Sequence, residues 1–129
     1  MNEIYKKIDS LLAGGDFNEA ERLIFTTAES LTSAANAMLN TSNYRDALET
    51  LRITAEMMRR YYDENIDFDE LKLSVSEIYL LLENIPSAIH ELTEAIAIME
   101  NRLGPVHQSV IDAKEKLNRM KSELRMIEG

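Results

Sequence analysis

Ile85-Pro86-Ser87-Ala88-Ile89-His90-Glu91-Leu92-Thr93-Glu94-Ala95 is the stretch that decides the fold of this chain. Ala88 is followed four residues later by a large apolar residue, Leu92, and seven residues later by a second small one, Ala95, so all three share one helical face. Small residues admit a neighbouring helix at close range, and the large one fills the space beside them. Pro86 suits the first turn of such a helix, where its missing N–H is not needed. The same phrase stands twice upstream: Phe17-Asn18-Glu19-Ala20 with Ile24 and Thr27, and Tyr44-Arg45-Asp46-Ala47 with Leu51 and Thr54. Nine residues before each alanine lie Leu11, Met38 and Tyr79, apolar knobs for the approach. The alanines are 27 and 41 residues apart, together twice 34.

Working outward, apolar residues recur at steps of three and four along the whole chain, and no glycine or proline falls between Asp16 and Ile85. A sheet protein needs more turns than that, so the class is all-α. Helices are predicted over about 2 to 13, 17 to 40, 44 to 62, 68 to 83, 86 to 103 and 107 to 128. Asp16-Phe17-Asn18-Glu19 reads as a capping-box analogue, and Asn43-Tyr44-Arg45-Asp46 and Asp67-Phe68-Asp69-Glu70 place an acid at the same third position. The span 17 to 40 is open to two readings, one helix or two. Its apolar stripe is continuous, but Thr26-Thr27 and Ser30 to Ser33 weaken a helix interior.

The chain has 129 residues, 45% of them hydrophobic, no cysteine, and a formal charge of -9. That content supports a packed core without staples, and excludes a disulfide scaffold and a disordered chain. Residues 1 to 105 carry nine Lys/Arg against nineteen Asp/Glu, whereas residues 106 to 129 carry five against four. The -10 body argues against nucleic acid as a partner, because phosphate binding rests on Lys and Arg. The longest apolar run, Ile78 to Leu82, is far short of a membrane span. Met1-Asn2-Glu3-Ile4-Tyr5-Lys6-Lys7 holds charges where a signal peptide needs apolar residues, so a cytoplasmic protein is expected.

Little in the sequence points to catalysis, a metal or a cofactor, and none is expected. His90 reads as a surface residue, and His107 as a cap for the last helix. Gly14-Gly15 lacks the lysine of a phosphate loop and reads as a helix stop. Asp63, Asn65, Asp67 and Asp69 alternate as calcium ligands would, but Phe68 and Ser74 stand where an EF-hand needs glycine and glutamate. A solvated loop with an acidic helix start is the simpler reading. Tyr61 and Tyr62 are expected to close a helix over the core with hydroxyls in water. Met38, Met58, Met99 and Met120 are expected as core filler.

Taken together, the alanine phrase and the knobs resemble the tetratricopeptide repeat, whose unit is a 34-residue helical hairpin. The segment from Tyr79 through Ala88, Leu92, Ala95 and Ile98 to Leu103-Gly104-Pro105-Val106-His107 is similar to the longer repeats of the kinesin light chain type. The resemblance covers roughly residues 1 to 110. Where the family has a glycine on the first helix of each unit, this chain has Ile8, Ala35 and Ser76. It implies one TPR-like domain over 1–129: antiparallel helical hairpins stacked as a short right-handed solenoid over 1–105, then a capping helix over 106–129.

The resemblance also implies a non-catalytic module that binds a peptide or helix of a partner protein in a concave groove. Carried over residue by residue, the groove would be lined by Tyr5, Lys6, Asp9 and Leu12, by Thr32, Ser33, Asn36, Leu39 and Asn40, and by Leu73, Ser74, Glu77 and Leu80. Tyr5, Thr32, Leu73 and Ser74 stand where chaperone-binding members carry basic clamp residues, so binding of that type is not expected. Asp9, Glu77 and the -10 body point to a neutral or basic partner segment. The chain is expected as a monomer or weak homodimer. The alternative is a self-associating helical bundle, paired through Val110, Leu117, Met120 and Leu124 of the last helix.

Overall fold

The computed structural model describes residues 1–62 and 68–129. Along them the chain forms α1 (Asn2–Ala13), α2 (Phe17–Asn40), α3 (Tyr44–Tyr61), α4 (Phe68–Leu81), α5 (Ile85–Leu103) and α6 (Gln108–Glu128), with no strand among the described residues. Four boundaries differ from the expected ones; α3 closes at Tyr61 rather than 62, and α6 opens at Gln108 rather than 107. α4 closes at Leu81 rather than 83, because Glu83 takes the left-handed conformation with φ of 60°. α5 opens at Ile85, with Pro86 in its first turn and the Asn84 side chain accepting from the Ser87 amide.

The three repeated phrases begin at three turns of one geometry. Asp16, Asn43 and Asn84 each donate a backbone N–H to the carbonyl five residues back, on Leu11, Met38 and Tyr79, all at 2.8 Å. Gly15, Ser42 and Glu83, one residue earlier, donate to Leu12, Leu39 and Leu80 and carry positive φ of 80°, 61° and 60°. These are Schellman closures, which satisfy the last carbonyls of one helix while the same residue opens the next. The knob residues are therefore also the carbonyl acceptors that end their helices. The expected capping boxes are corrected here: Asp16 and Asn43 make no side-chain cap hydrogen bond. The His107 ring accepts from the Ser109 amide at 3.1 Å, as its place before α6 predicts.

α2 is one continuous helix of 24 residues. The hydroxyl of Thr27 donates to the Leu23 carbonyl at 2.7 Å, so this β-branched residue is absorbed within the helix. The continuity explains the 27-residue spacing, seven short of 34. No turn separates the partner of α1 from the partner of α3; one helix serves both, its N-terminal half packing on α1 and the end of α3, and its C-terminal half on the start of α3 and on α4.

Successive helices pack in chain order, α4 most extensively on α5. Three apolar clusters run along the array. Ile8, Ala20, Ile24 and Met57 join α1, α2 and the end of α3. Ala35, Ala47, Leu51, Val75 and Ile78 join α2, α3 and α4. Ala88, Leu92, Ile96, Met99, Val110, Ala113 and Met120 join α5 to α6. Ala20, Ala47 and Ala88 are all fully buried, and the large residues four on, Ile24, Leu51 and Leu92, are buried beside them. Burying one such side chain stabilises the fold by about 2 kcal/mol. Ile8, Ala35 and Ser76, in the family's glycine position, are likewise buried. Ser76 is satisfied there by donating its hydroxyl to the Ala88 carbonyl at 2.8 Å.

The acidic start of α4 is not solvated as expected. The Asp69 side chain is buried and accepts from Arg102, at the end of α5, at 2.5 Å. Asp63, Asn65 and Asp67 of the considered calcium loop lie outside the described residues. The architecture is an all-α helical-repeat solenoid whose last helix covers the apolar face of α5. No helix among the described residues is long and apolar enough to cross a membrane.

Candidate functional site

On α1, the side chains of Tyr5 and Asp9 turn toward the end of α3. Arg60 donates to the Asp9 carboxylate at 2.9 Å, Tyr61 donates to it at 2.9 Å, and the Arg60 guanidinium lies 4.4 Å from the Tyr5 ring centre. Hydrogen bonding to Arg60, then to Tyr61, holds the Asp9 carboxyl below the usual carboxylate range. The Tyr61 hydroxyl is thus bonded to Asp9 rather than left to water. Tyr62 stacks on Phe25 of α2, with ring centres 5.6 Å apart. Lys6 is exposed, and Leu12 packs into the first core cluster.

On the second half of α2, Thr32, Ser33, Asn36 and Asn40 are exposed, while Leu39 packs into the middle cluster. On α4, Leu73 and Leu80 pack against the α5–α6 cluster. Ser74 is exposed, its hydroxyl donating to the Glu70 carbonyl at 3.2 Å. Glu77 is ion-paired with Lys116 of α6. Burial, then the nearby Arg119 charge, lowers the Lys116 ammonium below the ordinary lysine value. Both acids of the expected groove therefore have a cation beside them. Apart from Lys6, the other polar residues of the set, Tyr5, Thr32, Ser33, Asn36, Asn40 and Ser74, are uncharged.

The seam considered for self-association faces inward. Val110 and Met120 are buried against α5, and Leu117 is half-buried beside them. Lys114 pairs with Glu100 of α5 at 2.9 Å, fixing the same docking. Only past Leu124 does the apolar side open, with Met126 82% and Ile127 71% exposed. Residues that fill the intramolecular interface cannot also pair with a second copy unless α6 undocks.

A second surface was not anticipated. Between α3 and α4 run two cavities of about 320 and 270 Å³ that share Arg52. Their apolar walls include Leu48 and Ala55 of α3, Leu71 and Val75 of α4, and Leu82 just past its end. Arg45, Arg52 and Arg59 stand along the α3 side, with Glu49 and Glu56 between them. Arg52 donates across the cleft to the Tyr79 hydroxyl at 2.5 Å. At the inner end, Lys72 bonds Glu94 at 2.7 Å and lies 3.6 Å from Glu91. The Glu94 carboxyl is held low, chiefly by the Lys72 hydrogen bond. The sequence signal for this cleft was the seven-residue spacing of the arginines, hidden by the acidity of the body around it.

His90 is exposed and sits 2.5 Å from Glu94 in the same helix. Among the described residues no group of three or more His, Asp or Glu side chains is placed to hold a metal ion.

The features define a class: an all-α helical-repeat protein. No protein-family model matches the sequence, and no curated protein matches it. Among solved structures, the chain is similar to PcrH, a chaperone with TPR-like helical repeats, in its complex with the chaperone binding region of PopD. The TM-score is 0.58 at 16% identity, over 95% of this chain and 91% of that one. The likeness extends over nearly the full length of both chains, so it concerns the whole array of helices and supports the TPR-like fold.

Proposed function

We propose that this protein is a non-catalytic binding module that holds a peptide or helix of a partner protein along the face of α1, the second half of α2, and α4. One observation carries the proposal: a fold similar to that of PcrH, which was solved with a segment of another protein. In this reading 1–129 is one domain, hairpins over 1–105 and a cap over 106–129. The Leu103-Gly104-Pro105-Val106-His107 loop, with Gly104 at φ of 89° and His107 capping α6, supports the kinesin-light-chain-like subtype.

A neutral segment is favoured over a basic one, because Asp9 and Glu77 already face Arg60 and Lys116. The Asn36 amide can both donate to and accept from an extended peptide backbone, whatever its sequence. Titration with neutral, basic and acidic peptide pools at two salt concentrations tests the charge, with anisotropy as the readout. The neutral pool should bind with weak salt dependence, and Asn36→Ala should weaken it by about tenfold. Unchanged binding by Asn36→Ala together with Thr32→Arg would remove the face from the proposal.

A further inference from the structure

We propose that the cleft between α3 and α4 is a second docking site, and that its occupant is an acidic amphipathic helix of a partner protein. The cleft has an apolar floor and a row of arginines along one rim. The floor needs an apolar stripe to cover it. The rim selects the charge: the cleft is lined by Arg45, Arg52, Arg59 and Lys72 against Glu49, Glu56 and Glu91, a cationic excess in a body that is otherwise strongly acidic. Arg45 and Arg52 are exposed, and Arg52 is held across the cleft by the Tyr79 hydroxyl, so its guanidinium is already positioned.

The spacing selects the conformation of the occupant. Arg45, Arg52 and Arg59 recur every seven residues, a repeat of about 10.5 Å along α3. Carboxylates seven apart on a partner helix match that repeat and face the same way. On a strand, same-face residues recur at about 6.6 and 13 Å, which fits neither interval. A helix laid between α3 and α4 also fits the way side-chain ridges fill the trough between two packed helices. The rim spans about 21 Å from Arg45 to Arg59, the length of a helix of about fourteen residues. This site is separate from the α1–α2–α4 face, and its charge preference is the opposite.

The test uses the full chain and two synthetic helical peptides. Both carry the same leucine stripe; one has glutamates at seven-residue intervals beside it, the other lysines. The glutamate peptide should bind, more weakly as salt rises, and the lysine peptide should bind at least about tenfold more weakly. Arg45→Glu with Arg52→Glu should reverse that order, while Asn36→Ala leaves it unchanged. Arg45→Glu alone, at an exposed residue, keeps the test valid if loss of the Arg52–Tyr79 bond disturbs the fold. Equal binding of the two peptides, or glutamate-peptide binding unaltered by Arg45→Glu, would overturn the proposal. Loss through Asn36→Ala instead would assign the peptide to the other face.

Discussion

Ala20, Ala47 and Ala88 show how one residue type sets a helix contact three times over. Each is fully buried, and each is followed by a larger buried residue one turn on. Asp9 shows the opposite case, an exposed residue whose character is set by a distant partner. Its carboxyl is held low by Arg60, then Tyr61, both on α3. A carboxyl whose folded pKa lies below its unfolded value stabilises the fold above the unfolded pKa. That contribution is lost as pH falls through the folded one. It is thus fully present at neutral pH and disappears only below about pH 4. In Arg60→Ala, a carbon-detected NMR titration should find the Asp9 pKa raised toward the ordinary aspartate value. An unchanged titration would mean that the ion pair does not persist in solution.

At the scale of elements, three turns with unlike sequences share one geometry. Gly15 adopts positive φ without a Cβ to resist it, but Ser42 and Glu83 do the same with side chains in place. The left-handed conformation costs an L residue about 1–2 kcal/mol, part of which glycine gives back through its freer unfolded chain. Ser42→Gly and Glu83→Gly should each raise stability by about 0.5 kcal/mol in urea denaturation. Asn84→Ala should lower it by about 1 kcal/mol, since the Asn84 side chain caps α5. Asp16→Ala should do less, because no side-chain cap bond is there to lose. A larger loss from Asp16→Ala than from Asn84→Ala would contradict the assignment of caps.

Across the whole molecule, the last helix closes the array. α6 fills the face that α5 leaves open, with Val110, Ala113 and Met120 buried between them and Lys116 reaching Glu77 on α4. A helical-repeat protein needs such a cover over its terminal apolar face. Leu117→Glu places a charge in that contact and should lower stability by about 2 kcal/mol. If α6 is a cap, the denaturation midpoint of the unaltered chain stays the same at protein concentrations a hundredfold apart, and the variant shifts equally at both. A midpoint that climbs with concentration in the unaltered chain alone would identify α6 as a dimer helix. Charge is also organised at this scale. Cations from α3 and α6 meet acids from α1 and α4, while Arg45, Arg52 and Arg59 gather along the cleft between α3 and α4.

Periodicity was enough to determine the all-α class, the order of six helices and most of their ends. Helix formation and the alanine contacts depend on neighbours three, four and seven residues away, and that information is local. The repeat phrases likewise marked three like turns, because the knob, the turn and the alanine lie within nine residues of one another. What only the tertiary structure decided were the pairings over long separations. Asp9 meets Arg60 and Tyr61 more than fifty residues on, and Asp69 is buried against Arg102. Two acids that read as bare groove charges thus gained cations, an acid at a helix start became buried beneath an exposed arginine, and a heptad seam turned inward onto α5. The cleft between α3 and α4 was invisible for the same reason: its walls come from separate helices, and a linear charge count averages its arginines into an acidic body.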